Sequence, residues 1–425
     1  MILKILRSSL MQTAGIYTVT TIINTAIPFL LMPILTRYMS PSDYGIVAMF
    51  SVLVSFVFPF TGLSIHGAVQ RQYYEREHVH LPTYITNCLL ILLASSALTS
   101  IIFFVLSEPI SKLSSFPESW MWTVIIVSIA GFINSIVLVL WQVNIKPYAI
   151  GKYQIAQTIL NIGLSLWFVV GLDMAWRGRI EAQLFTAVIF AFIGLVILKK
   201  DGWLKFGFNK QYIRNALCFG VPLVPHALGQ VIMTMTDRFF ITNMVGLNAT
   251  GLYSVGYSFG MIIGFIEGSF NQAYVPWLFE RLKRNDDNVK RNIVKATYAY
   301  FLFIILLALS LSLIAPWFLN FFVGKRFVGA QIFVSWIAFG YAFSGMYKMV
   351  ANYIFFAEKT HILAWVTLFC GAMNVVFNYV FIKWNGPVGA AQAACLTFFT
   401  TFVLTWVLSA MVYDMPWLLR KNKMI

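Results

Sequence analysis

Apolar residues in this chain neither alternate nor recur at every third or fourth position. They fill uninterrupted runs of about 18–28 residues, each close to the roughly 20 that a helix needs to cross about 30 Å of hydrocarbon. The runs lie near 12–35, 44–66, 83–106, 120–143, 150–173 and 180–198, and again near 217–243, 250–275, 293–316, 330–355, 362–383 and 387–412. Within lipid every backbone donor and acceptor must be paired inside the chain, so only helices or closed barrels span it. A barrel needs shorter segments of alternating polarity, which are absent here. The expected architecture is therefore an all-α polytopic membrane protein with about twelve transmembrane helices.

Polar landmarks recur between the two sets of runs. LTRYMSPSDYGIVAM (35–49) aligns with ITNMVGLNATGLYSV (241–255), pairing Thr36 with Thr242 and Gly45 with Gly251. The same offset pairs Asn24 with Gln230, Gly62 with Gly268 and His66 with Gln272, and WRGRIEAQ (176–183) parallels WNGPVGAA (384–391). Each half holds an even number of spans, so both insert the same way up. Such repeats are related by a pseudo-two-fold axis along the membrane normal, with the substrate path between them. The expected organisation is an N-terminal six-helix lobe (1–198), a basic cytoplasmic linker (199–215), a C-terminal six-helix lobe (216–412) and a basic cytoplasmic tail (413–425).

Composition agrees with a lipid solvent: 60% of residues are hydrophobic and 11% charged, against about 25% charged in a soluble domain. The net charge of +15 would suggest nucleic acid in a soluble protein. Here the cations fall in loops and set topology, so no nucleic-acid partner is expected. Most sit on one side, among them those in 199–214, 280–291 and the tail segment 420–423, which places both termini in the cytoplasm. The start, MILKILRSSL, carries two cations and no early small-residue cleavage site, so it reads as a short tail before the first span rather than a cleaved signal. Cys88, Cys218, Cys370 and Cys395 all lie within apolar runs and say nothing about redox compartment.

Ionisable side chains at bilayer depth are the candidate chemistry, since each costs at least about 2.5–3.5 kcal/mol at mid-helix. In the seventh run His226, Gln230 and Asp237 fall within one narrow helical arc, with Arg238 beside Asp237. These two charges either pair and snorkel to the interface or face a wet cavity. The eighth run carries Glu267 and Asn271 at i, i+4, and Gly256, Gly260, Gly264 and Gly268 at every fourth position. That glycine stripe is either a close helix contact or a sliding surface. Lys348 in the tenth run either snorkels or lines a cationic lumen. His66 sits at the mouth of the second run, and Asn24 and Gln230 near mid-membrane, where interhelical hydrogen bonding also explains them. Pro28, Pro33, Pro222 and Pro225 interrupt the first helix of each half, as discontinuous helices at transport sites do. No GxSxG, HExxH, P-loop or CxxC motif occurs. Accordingly no catalytic residue, metal site or cofactor is expected, and His78 and His80 read as part of a mixed-charge loop.

Three stretches resemble the polysaccharide-transporter branch of the multidrug/oligosaccharidyl-lipid/polysaccharide exporter superfamily, and most of all its Wzx-type O-antigen flippases. They are NTAIPFLLMPILTRYMSPSDYGIVAMF (24–50), TDRFFITNMVGLNATGLYSVGYSFG (236–260) and FFAEKTHILAWVTLFCGAMNVVFNYVFIKWNGPVGAAQAA (355–394). The resemblance implies two six-helix lobes around a cavity lined by spans 1, 2, 7 and 8. It implies that an undecaprenyl-diphosphate-linked oligosaccharide, an O-antigen or related repeat unit, is moved across the bacterial inner membrane by alternating access. Membrane lipids would surround it, with a polysaccharide polymerase and chain-length proteins as protein partners. On this reading Arg238 and Lys348 contact the diphosphate or acidic sugar, with Asn24, Gln230, His226, His66 and Asn271 lining the cavity. Asp237 and Glu267 bind a coupling ion or orient the cations. The competing expectation is a drug or metabolite exporter of the same fold, coupled to an ion gradient. A membrane-bound polymerase or glycosyltransferase is disfavoured, because no segment between the runs is long enough for a catalytic domain.

Overall fold

The computed structural model describes residues 29–283 and 286–418, and every regular element among them is a helix. Among the described residues, eleven segments are long and apolar enough to cross a membrane, and they match the second to twelfth expected spans in order. The first expected span falls mostly outside the described residues and shows only its end, α1 (Phe29–Tyr38). The chain divides into two compact units, 1–243 and 244–425.

In the first unit, α2 (Pro41–Gly62) begins with a capping box. Ser40 Oγ accepts from Asp43 N at 3.1 Å, Asp43 Oδ2 accepts from Ser40 N at 2.9 Å, and proline takes the first helical position. The second expected span does not run on to His66. Leu63 and Ser64 adopt left-handed backbone, φ 45° and 53°, and a separate helix α3 (His66–Tyr74) starts beyond them. Gly62 ends α2 where the Phe132 ring presses so close that a Cβ would lie 1.9 Å from Cδ2. Then follow α4 (Leu81–Val105), the short α5 (Ser107–Ser114), α6 (Met121–Val143), α7 (Pro147–Ser165, closing in a wide turn over Leu166–Gly171) and α8 (Ala175–Lys200). Ile65, Tyr84, Cys88, Phe132, Ile136 and Leu198 form one buried apolar cluster between these helices, and Phe50, Val57, Phe116, Val124 and Ile180 another.

The seventh expected span is two helices, α9 (Lys210–Gly220) and α10 (Leu223–Met244), broken at the Val221–Pro222 step. Residues up to Asn243 group with the first unit, whereas the sequence division put 210–215 in the linker and 216 onward in the second lobe. Hydrogen bonds explain the grouping. The segment before α9 is tied to α4, with Asn87 Nδ2 donating to Gly207 O at 2.8 Å and Asn209 N donating to Asn87 Oδ1 at 3.0 Å. Asn215 Oδ1 accepts from Gln72 Nε2 and Tyr84 OH at 3.0 and 2.9 Å. Gly220 meets the turn after α2, where a Cβ would stand 2.3 Å from Leu63 O.

The second unit contains α11 (Leu247–Gly260), α12 (Ile262–Leu282), α13 (Asp287–Phe322), α14 (Gln331–Phe356), α15 (Thr360–Asn385) and α16 (Val388–Val412). Helix α14 touches α11, α12, α13, α15 and α16 and is the centre of the unit. The glycine stripe lies along it. A Cβ on Gly256 would come 2.5 Å from Ala330 O, on Gly260 2.5 Å from Ile337 Cγ2, and on Gly264 2.6 Å from Tyr341 Cδ1, while Gly268 has open space. Three of the four glycines thus serve close helix contact. Residues just past α16 pack back on the unit, where Tyr298 OH donates to Trp417 O at 2.7 Å.

Candidate functional site

The glycine contact fixes how α12 meets α14 further along. The pairing runs from Gly260 against Ile337 to Gly264 against Tyr341, advancing in the same direction on both helices. The two are therefore parallel, as alternate spans must be. Beyond the glycines the seam becomes polar. Lys348 Nζ donates to Glu267 Oε1 at 2.7 Å, and one turn on Asn352 Nδ2 donates to Asn271 Oδ1 at 3.1 Å. Each helix supplies its pair at i, i+4, so both rungs stand on one face of each helix. The Glu267 side chain is 2% exposed and that of Lys348 is 36% exposed. The carboxylate is thus enclosed and its cation reaches outward. Glu267 Oε2 is buried, with the Ser344 hydroxyl near the same carboxylate. Tyr300 OH closes the same corner, lying with the Glu267 side chain against Gly345, where a Cβ would be 2.7 Å from the hydroxyl and 3.0 Å from Glu267 Cβ. A side chain at Gly345 would crowd both Tyr300 OH and the Glu267 side chain.

In the first unit, α10 carries His226, Gln230, Asp237 and Arg238. Its geometry keeps the first three near one arc, but their surroundings differ. His226 and Gln230 are exposed, whereas Asp237 is buried. Arg238 folds back along its own helix: Nη1 lies 3.6 Å from Asp237 Oδ1, donates to Thr234 O at 3.2 Å and touches Met235 Sδ at 3.6 Å. His66 stands apart at the start of α3, half-buried, with its ring edge-on to Phe132 at 5.8 Å. Asn24 lies outside the described residues. The repeat partners Thr36 and Thr242 make the same bond, each hydroxyl donating to the carbonyl four residues back at 2.9 and 2.8 Å.

Sequence reasoning passed over Arg179. Because α8 starts at Ala175 rather than near 180, Arg179 belongs to the helix and not to a loop. Its Nη1 donates to Asn161 Oδ1 and Ser165 Oγ at 2.7 and 2.6 Å, which holds the guanidinium between α7 and α8. Tyr44 at the start of α2 lies within electrostatic reach of both Arg179 and Arg238. The signal was the second arginine of WRGRIEAQ, followed by an apolar run. Beside α10 there is also a cavity of about 530 Å³ with an almost wholly apolar lining from α2, α4, α5 and α10. No group of three or more His, Cys, Asp or Glu side chains gathers among the described residues.

These features are an all-helical scaffold of membrane-length segments with charges and amides seated between its spans. The chain matches the polysaccharide biosynthesis protein family over residues 10–282 and the MatE family over residues 222–380. It is 24% identical to an uncharacterised membrane protein of Haemophilus influenzae over 90% of this chain and 94% of that one. It is 22% identical to the Lsg locus putative protein 1 of the same organism, covering 91% and 96%. A partial match, 25% identical over 55% of this chain and 46% of the other, is to the succinoglycan biosynthesis transport protein ExoT of Rhizobium meliloti. Among solved structures, the lipid II flippase MurJ in its inward closed conformation is similar with a TM-score of 0.74 at 14% identity, covering 92% of this chain and 87% of that one. A point mutant of the Vibrio cholerae MATE transporter VcmN gives 0.63 at 12% identity, covering 95% and 96%. The fold is that of these transporters, and with a match across residues 10–282 the chain belongs to the polysaccharide biosynthesis protein family of membrane proteins.

Proposed function

We propose that the protein is a flippase for an undecaprenyl-diphosphate-linked oligosaccharide, an O-antigen or related repeat unit, and that it works by alternating access in the bacterial inner membrane with both termini in the cytoplasm. The observation that carries this reading is the family match over residues 10–282 on a chain whose described residues are nearly all spanning helix. This reading takes the role to be transport without catalysis. The polar seam between α12 and α14 supplies a mechanism. A diphosphate arriving at Lys348 competes with Glu267 for the same ammonium. Drawing the lysine away leaves the carboxylate buried without its counter-charge, a state that costs about 3–5 kcal/mol unless a proton or another cation replaces the lysine. Anion binding and cation uptake at this seam are thereby coupled. Asn271 and Asn352 hold a paired amide one turn away, with donor and acceptor atoms of the kind sugar hydroxyls bind. Arg238, in the first unit, is a separate candidate for contact with an anion. A polymerase and chain-length proteins would receive the product.

The MatE match over residues 222–380 favours one second reading, an ion-coupled exporter of small cations or metabolites. Cells lacking the gene separate the two. The flippase reading expects loss of surface polysaccharide and build-up of lipid-linked repeat unit facing the cytoplasm, with both defects corrected by the wild-type chain. Normal surface polysaccharide together with new sensitivity to cationic drugs favours the exporter.

A further inference from the structure

The apolar cavity in the first unit has no part in the charge mechanism above. Its volume, about 530 Å³, lies within the range of ligand pockets, about 300–1,000 Å³. Phe56 and Phe60 from α2, Ile102 from α4, Leu113 from α5, and Met235 and Phe239 from α10 are among the side chains that line it. Two of its few hydroxyls are already engaged by their own helices: Ser114 Oγ donates to Ile110 O at 2.6 Å, and Thr236 donates to Ile232 O. An ordered water needs two to four polar partners, and this lining does not supply them. The lining suits hydrocarbon.

One end of the cavity is marked by charge. Arg238 is flanked in sequence by Asp237 and the lining Phe239, and its guanidinium rests on the sulfur of the lining Met235 at 3.6 Å. At the same end Asn243 Nδ2 donates to Leu113 O at 2.6 Å, which ties α10 to α5. Arg238 is 11% exposed and paired with Asp237 at 3.6 Å, so an anionic amphiphile seated in the slot would compete with Asp237 for the guanidinium beside it. We propose that this slot holds the head-proximal isoprene units of a polyprenyl diphosphate, with Arg238 at its rim against the diphosphate. The inference rests on the flippase reading and deepens it by assigning the lipid tail to the first unit. With the C-terminus of α10 on the outer side, as the expected topology has it, Arg238 lies about 9 Å from that end, so the slot serves the outer leaflet, where the product is released. The bilayer is as apolar as the slot, so transfer from water is not the driving force. Shape fit and the nearby cation are, and the selectivity they give over ordinary lipid is modest.

The test uses the full chain in lipid nanodiscs and a polyprenyl diphosphate with a photoreactive diazirine in an isoprene unit near the head. Mass spectrometry of the cross-linked wild-type protein should find label within 49–60, 99–114 and 231–239, competed by unlabelled polyprenyl diphosphate and not by excess phosphatidylglycerol. Ile232→Trp, at an exposed lining position, should cut that label about fivefold, equivalent to roughly 1 kcal/mol. Equal competition by phosphatidylglycerol would mean that the slot is an ordinary lipid-facing surface, and the proposal fails. Label landing elsewhere in a chain that still translocates lipid-linked glycan overturns the slot and leaves the flippase reading intact. A wild-type chain that neither takes up the probe nor translocates glycan overturns both.

Discussion

Replacing Lys348 with methionine is the most informative single perturbation. The two side chains are similar in length, so packing along α14 is kept while Glu267, 2% exposed, loses the ammonium that donates to it. Removing one partner of a buried pair typically costs about 3–5 kcal/mol. Lys348 is 36% exposed, so solvent and counter-ions already screen part of the pair, and the lower end, about 3 kcal/mol, is the working figure. Glu267→Gln alone removes the charge and leaves an amide beside the ammonium, and should cost less. The double variant leaves no orphaned charge and should recover most of the loss. Stability of the four proteins in detergent, followed by resistance to denaturant-induced unfolding, gives the coupling energy directly. A departure from additivity of more than about 1 kcal/mol is expected, against the roughly 0.3–0.5 kcal/mol within which independent sites add. Additive losses would show that the two side chains stand side by side without depending on each other, and the coupling mechanism would fall with them.

Further outcomes follow from packing and topology. Gly260→Ala should destabilise the second unit by about 1–3 kcal/mol, because the new Cβ would meet Ile337 Cγ2 at 2.5 Å, whereas Gly268→Ala, with open space, should be neutral or slightly stabilising; thermal unfolding of the two proteins compares them, and equal effects would contradict the seam. Ser40→Ala should remove the cap on α2 and cost about 0.5–2 kcal/mol, read as faster amide exchange at residues 42–44 with no change near 56–60. A fluorescent protein fused after residue 425 should be bright and a periplasmic phosphatase fused there inactive; the reverse pattern would invert the expected orientation.

The spans were legible because length of apolar run is a direct consequence of bilayer thickness, and that constraint acts locally. Pro222 likewise announced the break between α9 and α10, since proline cannot continue the ladder. Other features depend on contacts distant in sequence. The end of α2 falls at Gly62, where the Phe132 ring from another helix leaves no room for a Cβ. The grouping of α9 with the first unit rests on Asn87 and Asn215, amides inside apolar or basic stretches that resemble ordinary span or linker residues. Glu267 and Lys348 were each visible as charges at bilayer depth. Their pairing was not, because it depends on the parallel register that Gly256, Gly260 and Gly264 set between α12 with its preceding helix and α14. Arg179 was lost to a helix boundary misplaced by a few residues.

Central to the account is that this chain carries a lipid-linked glycan across a bilayer through charges held between its helices. Purified wild-type protein and the Lys348→Met variant, reconstituted into vesicles containing a fluorescent polyprenyl-diphosphate-linked oligosaccharide, test it most directly, with a membrane-impermeant quencher reporting the share of label on the outer face. The wild-type chain should equilibrate the label between leaflets, and the variant should slow that step while inserting normally. Wild-type vesicles no faster than protein-free ones would contradict the claim.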